Sequence, residues 1–188
     1  MGTSPEVSDE ELMTRFARGE SQAFDALFER HAAPVHAYLS RLVGSGLMAE
    51  DLAQAAFLSV VRSRGRYHPS IQFRPWLYAI ATNAARDYFR RNRREQLTEK
   101  GELPLNAVAD TPPAGDAALE RRVRAALEQL SPQRREVIIL NRFGGLSMAE
   151  VATAVGASET AVKVRAHRGY ERLRGLLSDL WDAWKGET

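Results

Sequence analysis

The stretch Ser147–Arg174, SMAEVATAVGASETAVKVRAHRGYERLR, decides how this chain is read. Ser147 and Glu150 stand at the spacing of a capping box, which predicts a helix from Met148. Gly156 supplies a turn, because glycine takes positive φ without a Cβ clash. Ser158 can cap a second helix. Ala152, Gly156 and Val162 then fall where two helices joined by a tight turn need a small, a turning and a buried residue. At about 100° per residue, Val162, Ala166, Gly169 and Leu173 share one stripe of that second helix. Thr160, Lys163, His167, Glu171 and Arg174 lie opposite, with Arg165, Arg168 and Arg172 on the flank. A packed face backed by a basic one is the pattern of a helix-turn-helix, whose second helix enters the DNA major groove. An amphipathic surface helix with a solvated charged face is the plainer alternative. The preceding helix, turn and caps favour DNA.

Outward from this unit the pattern stays helical. Upstream, Ser131-Pro132 pairs a cap with proline at the first helical position, which predicts a helix over PQRREVIILNRF. Val137-Ile138-Ile139 could form a strand, but its flanks favour a buried helix. Gly144-Gly145 ends it, and Leu119–Leu130 is a further helix. Gln96–Gly115, with Pro104, Pro112 and Pro113, breaks the pattern and reads as a linker. Before it, Ser8 and Glu11 precede a first helix. Phe24, Leu27, Phe28 and His31 mark a second amphipathic stretch, and Val35, Leu39 and Leu42 a third. Met48–Arg64 and Trp76–Arg94 are the fourth and fifth. The fold class is all-α, two small helical domains joined by a flexible linker, with boundaries 8–95, 96–118 and 119–178.

Charge is uneven along the chain. The formal net charge is +2. Met1–Val61 holds 4 basic and 9 acidic residues, whereas Arg62–Arg94 holds 9 arginines against Asp87 alone. Gln96–Ala118 is acidic, and the chain from Leu119 is again basic. Two basic zones separated by an acidic one point to a polyanionic partner. In the first zone, Leu77, Ile80, Ala81, Ala84 and Tyr88 form a core stripe on WLYAIATNAARDYFRRNRR, and Asn83, Arg86, Asp87 and Arg90 share the other side. Asn and Asp offer directional hydrogen bonds to bases, and arginines hold phosphates. The loop RGRYHPSIQFRP before this helix mixes Arg66, Arg74, Tyr67, His68 and Phe73, a composition suited to single-stranded DNA. Trp76 reads more readily as core.

Several classes are disfavoured. With no cysteine there is no disulfide, thiolate chemistry or Cys-based zinc site, which suits a reducing cytosol. The polar, acidic start MGTSPEVSDEELM lacks the marks of a signal peptide, and no apolar run reaches membrane-spanning length. His31, His36, His68 and His167 have no partner at metal-ligand spacing. Gly144-Gly145 lacks the residues of a phosphate loop, and no serine sits in a nucleophile elbow. No enzyme, metal, cofactor or small-molecule substrate is expected.

Four blocks in order, AEDLAQAAFLSVV, FRPWLYAIATNAARDYFRR, LSPQRREVIILNRFGGLSMAEVA and the helix-turn-helix, resemble bacterial sigma factors of the sigma-70 family. The resemblance is to the extracytoplasmic-function group, which keeps only regions 2 and 4, and it covers about Glu11–Leu177. It implies a region 2 helical bundle and a region 4 helix-turn-helix. It implies core RNA polymerase as a partner, through the β′ clamp coiled coil and the β flap, with promoter DNA and an anti-sigma factor as further partners. Sequestration by such a factor would hold an otherwise cytoplasmic protein at the membrane. The clamp contact would fall on Asp51, Gln54, Ala55 and Leu58, with Ala55 where the family usually has an acid. The −10 element would meet Arg66, Tyr67, Phe73, Arg74, Trp76, Asn83, Arg86, Asp87, Arg90 and Arg91. The −35 element would meet Ser158, Thr160, Lys163, Arg165, His167, Arg168 and Arg172. Val164 stands where a small polar residue is common, and Gly169-Tyr170 where Ala-Arg is usual. A conventional helix-turn-helix regulator, and a protein-binding adaptor that mimics such a factor, are the competing readings.

Overall fold

Among the described residues serine stands at the N-cap of five α-helices, and all but Ser131 of the helix from Pro132 use the side chain to cap. The hydroxyl oxygens of Ser8, Ser45, Ser147 and Ser158 accept the backbone N–H three residues on, at 3.2, 3.5, 3.2 and 3.2 Å. Each cap satisfies a donor that a helix start leaves open, worth about 1 kcal/mol. The computed structural model describes residues 7–98 and 116–178, and among these every regular element is a helix. The chain divides between Leu103 and Pro104 into two units.

The first unit holds α1 (Asp9–Ala17), α2 (Ser21–Val43), α3 (Gly46–Ser63) and α4 (Phe73–Thr98). The second and third stretches expected from sequence are one helix, α2, which runs through Pro34. Proline removes one backbone donor and costs a helix interior about 3 kcal/mol. Here it lies on the exposed side, and the stripe Leu27, His31, Val35, Tyr38, Leu39 and Leu42 stays buried on both sides of it. That continuous burial outweighs the lost bond. Gly44 ends α2 in the left-handed region at φ 76°, and Ser45 starts α3 at once.

The core stripe of α4 is rotated from the expected one. Leu77 and Ala81 are buried, but Ile80, Ala84 and Tyr88 are only partly so, while Tyr78, Thr82 and Ala85 go inside. The cause is α2. Tyr38 shares a hydrogen bond with the Thr82 hydroxyl at 2.8 Å and packs edge-on against Tyr78. A buried threonine is tolerated because its hydroxyl is satisfied.

The second unit holds α5 (Asp116–Glu128), α6 (Pro132–Arg142), α7 (Met148–Val155) and α8 (Glu159–Leu176). Helix therefore takes three residues at each end of the segment 96–118 read as linker, and the rest of it lies outside the described residues. So do Trp181 and Trp184. The triplet Val137-Ile138-Ile139 is wholly buried in α6. A Cβ on Gly144 would lie 2.6 Å from the Leu140 carbonyl oxygen, so only glycine fits there. Ser147 and Glu150 form the full capping box of α7, and Gly156 at φ 68° turns the chain into α8. Among the described residues no helix is long and apolar enough to cross a membrane.

Candidate nucleic-acid interface

Helix α8 is anchored by what it buries. Val162, Ala166 and Gly169 face inward, and Gly169 brings α8 so close to α6 that a Cβ there would lie 2.5 Å from Ile138 Cδ1. Thr160, Lys163, His167, Arg168 and Arg172 are exposed, and Arg165 is partly so. Ser158 is exposed too, its hydroxyl engaged in the cap. Lys163 Nζ lies 2.7 Å from Glu159, and His167 3.4 Å from Glu171. Such exposed pairs contribute little, so these side chains can leave their carboxylates for phosphates. Two residues outside the expected set share the surface: Val164, 44% exposed, and Tyr170, whose hydroxyl donates to Asn141.

In the first unit, Arg64–Arg66 form a 3₁₀ turn ahead of α4. Phe73 and Arg74 belong to the first turn of α4 and not to the loop. Phe73 is wholly buried, against His31 at 5.4 Å. It therefore offers no face to a base, which corrects the sequence expectation. Its backbone N–H donates to Glu10 Oε1 at 2.9 Å, so α1 holds the start of α4. Asp9 extends that anchor, accepting from Arg30 at 3.0 Å and lying 2.7 Å from His31 Nε2. Sequence reasoning missed Asp9 and Glu10 because their partners lie far along the chain, with no local signal.

Tyr67 packs on the half-buried Trp76 with centroids 5.1 Å apart, and its hydroxyl donates to the Ile71 carbonyl. Burial, then the Glu10 and Asp9 carboxylates, push the Tyr67 phenol up to about 12, so it remains a neutral donor. Along α4, Trp76, Asn83, Asp87 and Arg90 recur at intervals of seven, four and three, which places them on one face. Asn83, Asp87, Arg90 and Arg91 are exposed, Arg74 and Arg86 partly so, and Arg66 stands exposed in the 3₁₀ turn. Asp87 pairs with Arg90 at 2.8 Å. Phe89, 40% exposed, joins this end of the helix unforeseen.

On α3 the outward stripe is Asp51, Gln54, Ala55 and Leu58, all exposed, Leu58 by 54%. Beside it, Phe28 and His36 of α2 and Gln54 and Phe57 of α3 help line an open groove of about 310 Å³. The unit thus offers one basic, aromatic-bearing surface and one largely apolar one.

Comparison with known proteins matches the chain to one group. The family model described as Sigma-70 region 2 matches residues 27–95, and that described as Sigma-70, region 4 matches residues 120–173. The chain is 46% identical over 168 residues to the RNA polymerase sigma factor CarQ of Myxococcus xanthus, covering 89% of this chain and 97% of that protein. It is 35% identical to the ECF RNA polymerase sigma factor BldN of Streptomyces coelicolor, over 90% of this chain and 66% of that one. Among solved structures, the sigma factor RpoE in complex with the anti-sigma factor NepR from Bartonella quintana aligns with a TM-score of 0.74 at 25% identity. That alignment covers 82% of this chain and 96% of that chain.

Proposed function

Because the chain belongs to the extracytoplasmic-function group of sigma-70 RNA polymerase sigma factors, we propose that α3, α4 and α8 divide among them the work of directing the polymerase to promoters. In this division α8 reads the −35 duplex with Thr160, Lys163, Arg165, His167, Arg168 and Arg172, its N-terminus fixed by Ser158. Lysine and arginine hold phosphates and set register, while direct base contacts carry sequence. Helix α4 and the turn before it take the −10 element: Asn83 and Asp87 offer directional hydrogen bonds, and Arg66, Arg74, Arg86, Arg90 and Arg91 hold the backbone. Trp76 and Tyr67 supply the aromatic surface on which an extruded base would stack. Stacking offsets part of the few kcal/mol that unstacking costs. No hydrolysis is required, so the chain acts as a specificity subunit, and the chemistry belongs to the polymerase.

The α3 stripe of Asp51, Gln54, Ala55 and Leu58 docks on the β′ clamp coiled coil, and the β flap is the second polymerase contact. The exposed Leu58 supports this, since an apolar side chain amid polar neighbours suits a partner contact. The protein acts in the cytoplasm under an anti-sigma factor, a reading supported by the relative solved with one. The observation that carries the whole is the pair of basic helix faces, one in each unit. A conventional duplex-binding regulator would leave the face of Asn83, Asp87 and Arg90 without a task.

Run-off transcription with purified core polymerase tests this. The wild-type chain should yield promoter-specific transcripts. The double reversal Lys163→Glu and Arg165→Glu should abolish −35-dependent initiation while the chain still co-elutes with core. Loss of co-elution would refute the division of labour, and absence of any promoter-specific transcript from the wild type would refute the function.

A further inference from the structure

On the outward face of α8, between Thr160 and Arg168, stands a side chain with no polar atom. Val164 is 44% exposed and lies opposite the buried stripe of Val162, Ala166 and Gly169. Thr160 stands one turn before it and Arg168 one turn after, so it occupies the middle of the surface that would enter the groove. A β-branched residue there keeps much of its surface in water, and its stiffness slightly disfavours helix.

Resting on the reading of α8 as the −35 helix, we propose that Val164 is a specificity residue that reads the 5-methyl group of a thymine. The chemistry selects the base. In the major groove guanine presents N7 and O6, cytosine an amino group, and adenine N7 with an amino group, whereas thymine alone presents a methyl beside its O4. Valine can satisfy none of the polar edges, and covering one would leave it unpaired in the interface. Against thymine, the two methyl groups of Val164 bury a third methyl from water. Thr160 and Arg168, on the same face, hold hydroxyl and guanidinium groups for the neighbouring edges and phosphates. The residue therefore selects by attraction to one base and by mismatch against the other three.

The test uses the full chain assembled with core polymerase. The preferred −35 sequence is first selected from DNA randomised at that element. Each thymine within it is then replaced singly by deoxyuridine, which removes only the methyl group, and binding is measured. One replacement should weaken wild-type binding about fourfold, the effect of one buried methyl-sized group. The Val164→Ser chain should bind the thymine and uracil templates equally, with an unchanged melting temperature. The proposal is overturned if no uracil replacement weakens wild-type binding by more than about twofold, or if Val164→Ser keeps the wild-type ratio. If the selection shows no −35 preference at all, the reading of α8 falls and Val164 with it. A clear preference with no methyl sensitivity removes Val164 alone.

Discussion

A Cβ built on Gly169 would sit 2.5 Å from Ile138 Cδ1, well inside carbon–carbon contact. Ile138 is itself buried, so its side chain has little room to move aside. Two effects oppose each other in Gly169→Ala. Alanine favours the helix by about 1 kcal/mol, and overpacking costs about 1–3 kcal/mol. The clash should win, leaving the variant about 1 kcal/mol less stable. Ile138→Val removes the offending atom and by itself costs about 0.5–1.5 kcal/mol. If the contact is as described, the two changes are coupled. In urea unfolding the double variant should be more stable than the sum of the two single losses implies, by more than about 1 kcal/mol, and strict additivity would refute the contact.

At the scale of helices, Arg135 shows what the sequence conceals. Its guanidinium donates to the carbonyls of Leu127, Glu128 and Leu130, where α5 ends. Partial burial holds its pKa below the ordinary arginine value, partly countered by Glu128, yet it remains a cation at the negative end of a helix. Arg135→Ala would leave those carbonyls without these donors and should cost the second unit about 2 kcal/mol, with Arg135→Lys restoring only part because one ammonium cannot span three acceptors. Equal thermal stability of the alanine variant and the wild type would refute that role. The caps of α7 and α8 were legible in sequence because Ser147, Glu150, Gly156 and Ser158 act within a few residues of themselves. So was the outward stripe of α3. The face of α4 was read correctly at Asn83, Asp87 and Arg90, but its core stripe was turned, because Tyr38 on another helix decides which α4 residues go inside. Phe73 was misread for the same reason: its composition suits base stacking, but Glu10 and His31, distant in sequence, take it into the core. The unity of α2 across Pro34 is not legible locally, since the cost of proline is visible in sequence and the packing that outweighs it is not.

For the whole molecule the decisive property is that positive charge is concentrated in two places and nearly cancelled overall. A chain of net charge +2 has little long-range attraction for DNA, so affinity must come from local phosphate contacts. Each such contact releases about one counterion on binding, and this sets the slope of log affinity against log salt. Arg168 on α8 and Arg90 on α4 are both exposed and lie in separate units. Alanine at either position should weaken promoter binding by the assembled polymerase across all sequences and reduce the magnitude of the salt slope by about 1. Because the sites share no partner, the two reductions should add in the double variant, to about 2. The substitutions should separate on DNA form. Arg168→Ala should weaken binding to a closed −35 duplex fragment, whereas Arg90→Ala should act only where the −10 strands are present and opened. Filter-binding titrations from low to moderate salt on duplex and pre-melted templates measure both. An unchanged slope for either variant would remove that arginine from the phosphate contacts. A loss in Arg90→Ala on the isolated −35 duplex would overturn the assignment of the two basic faces to separate elements.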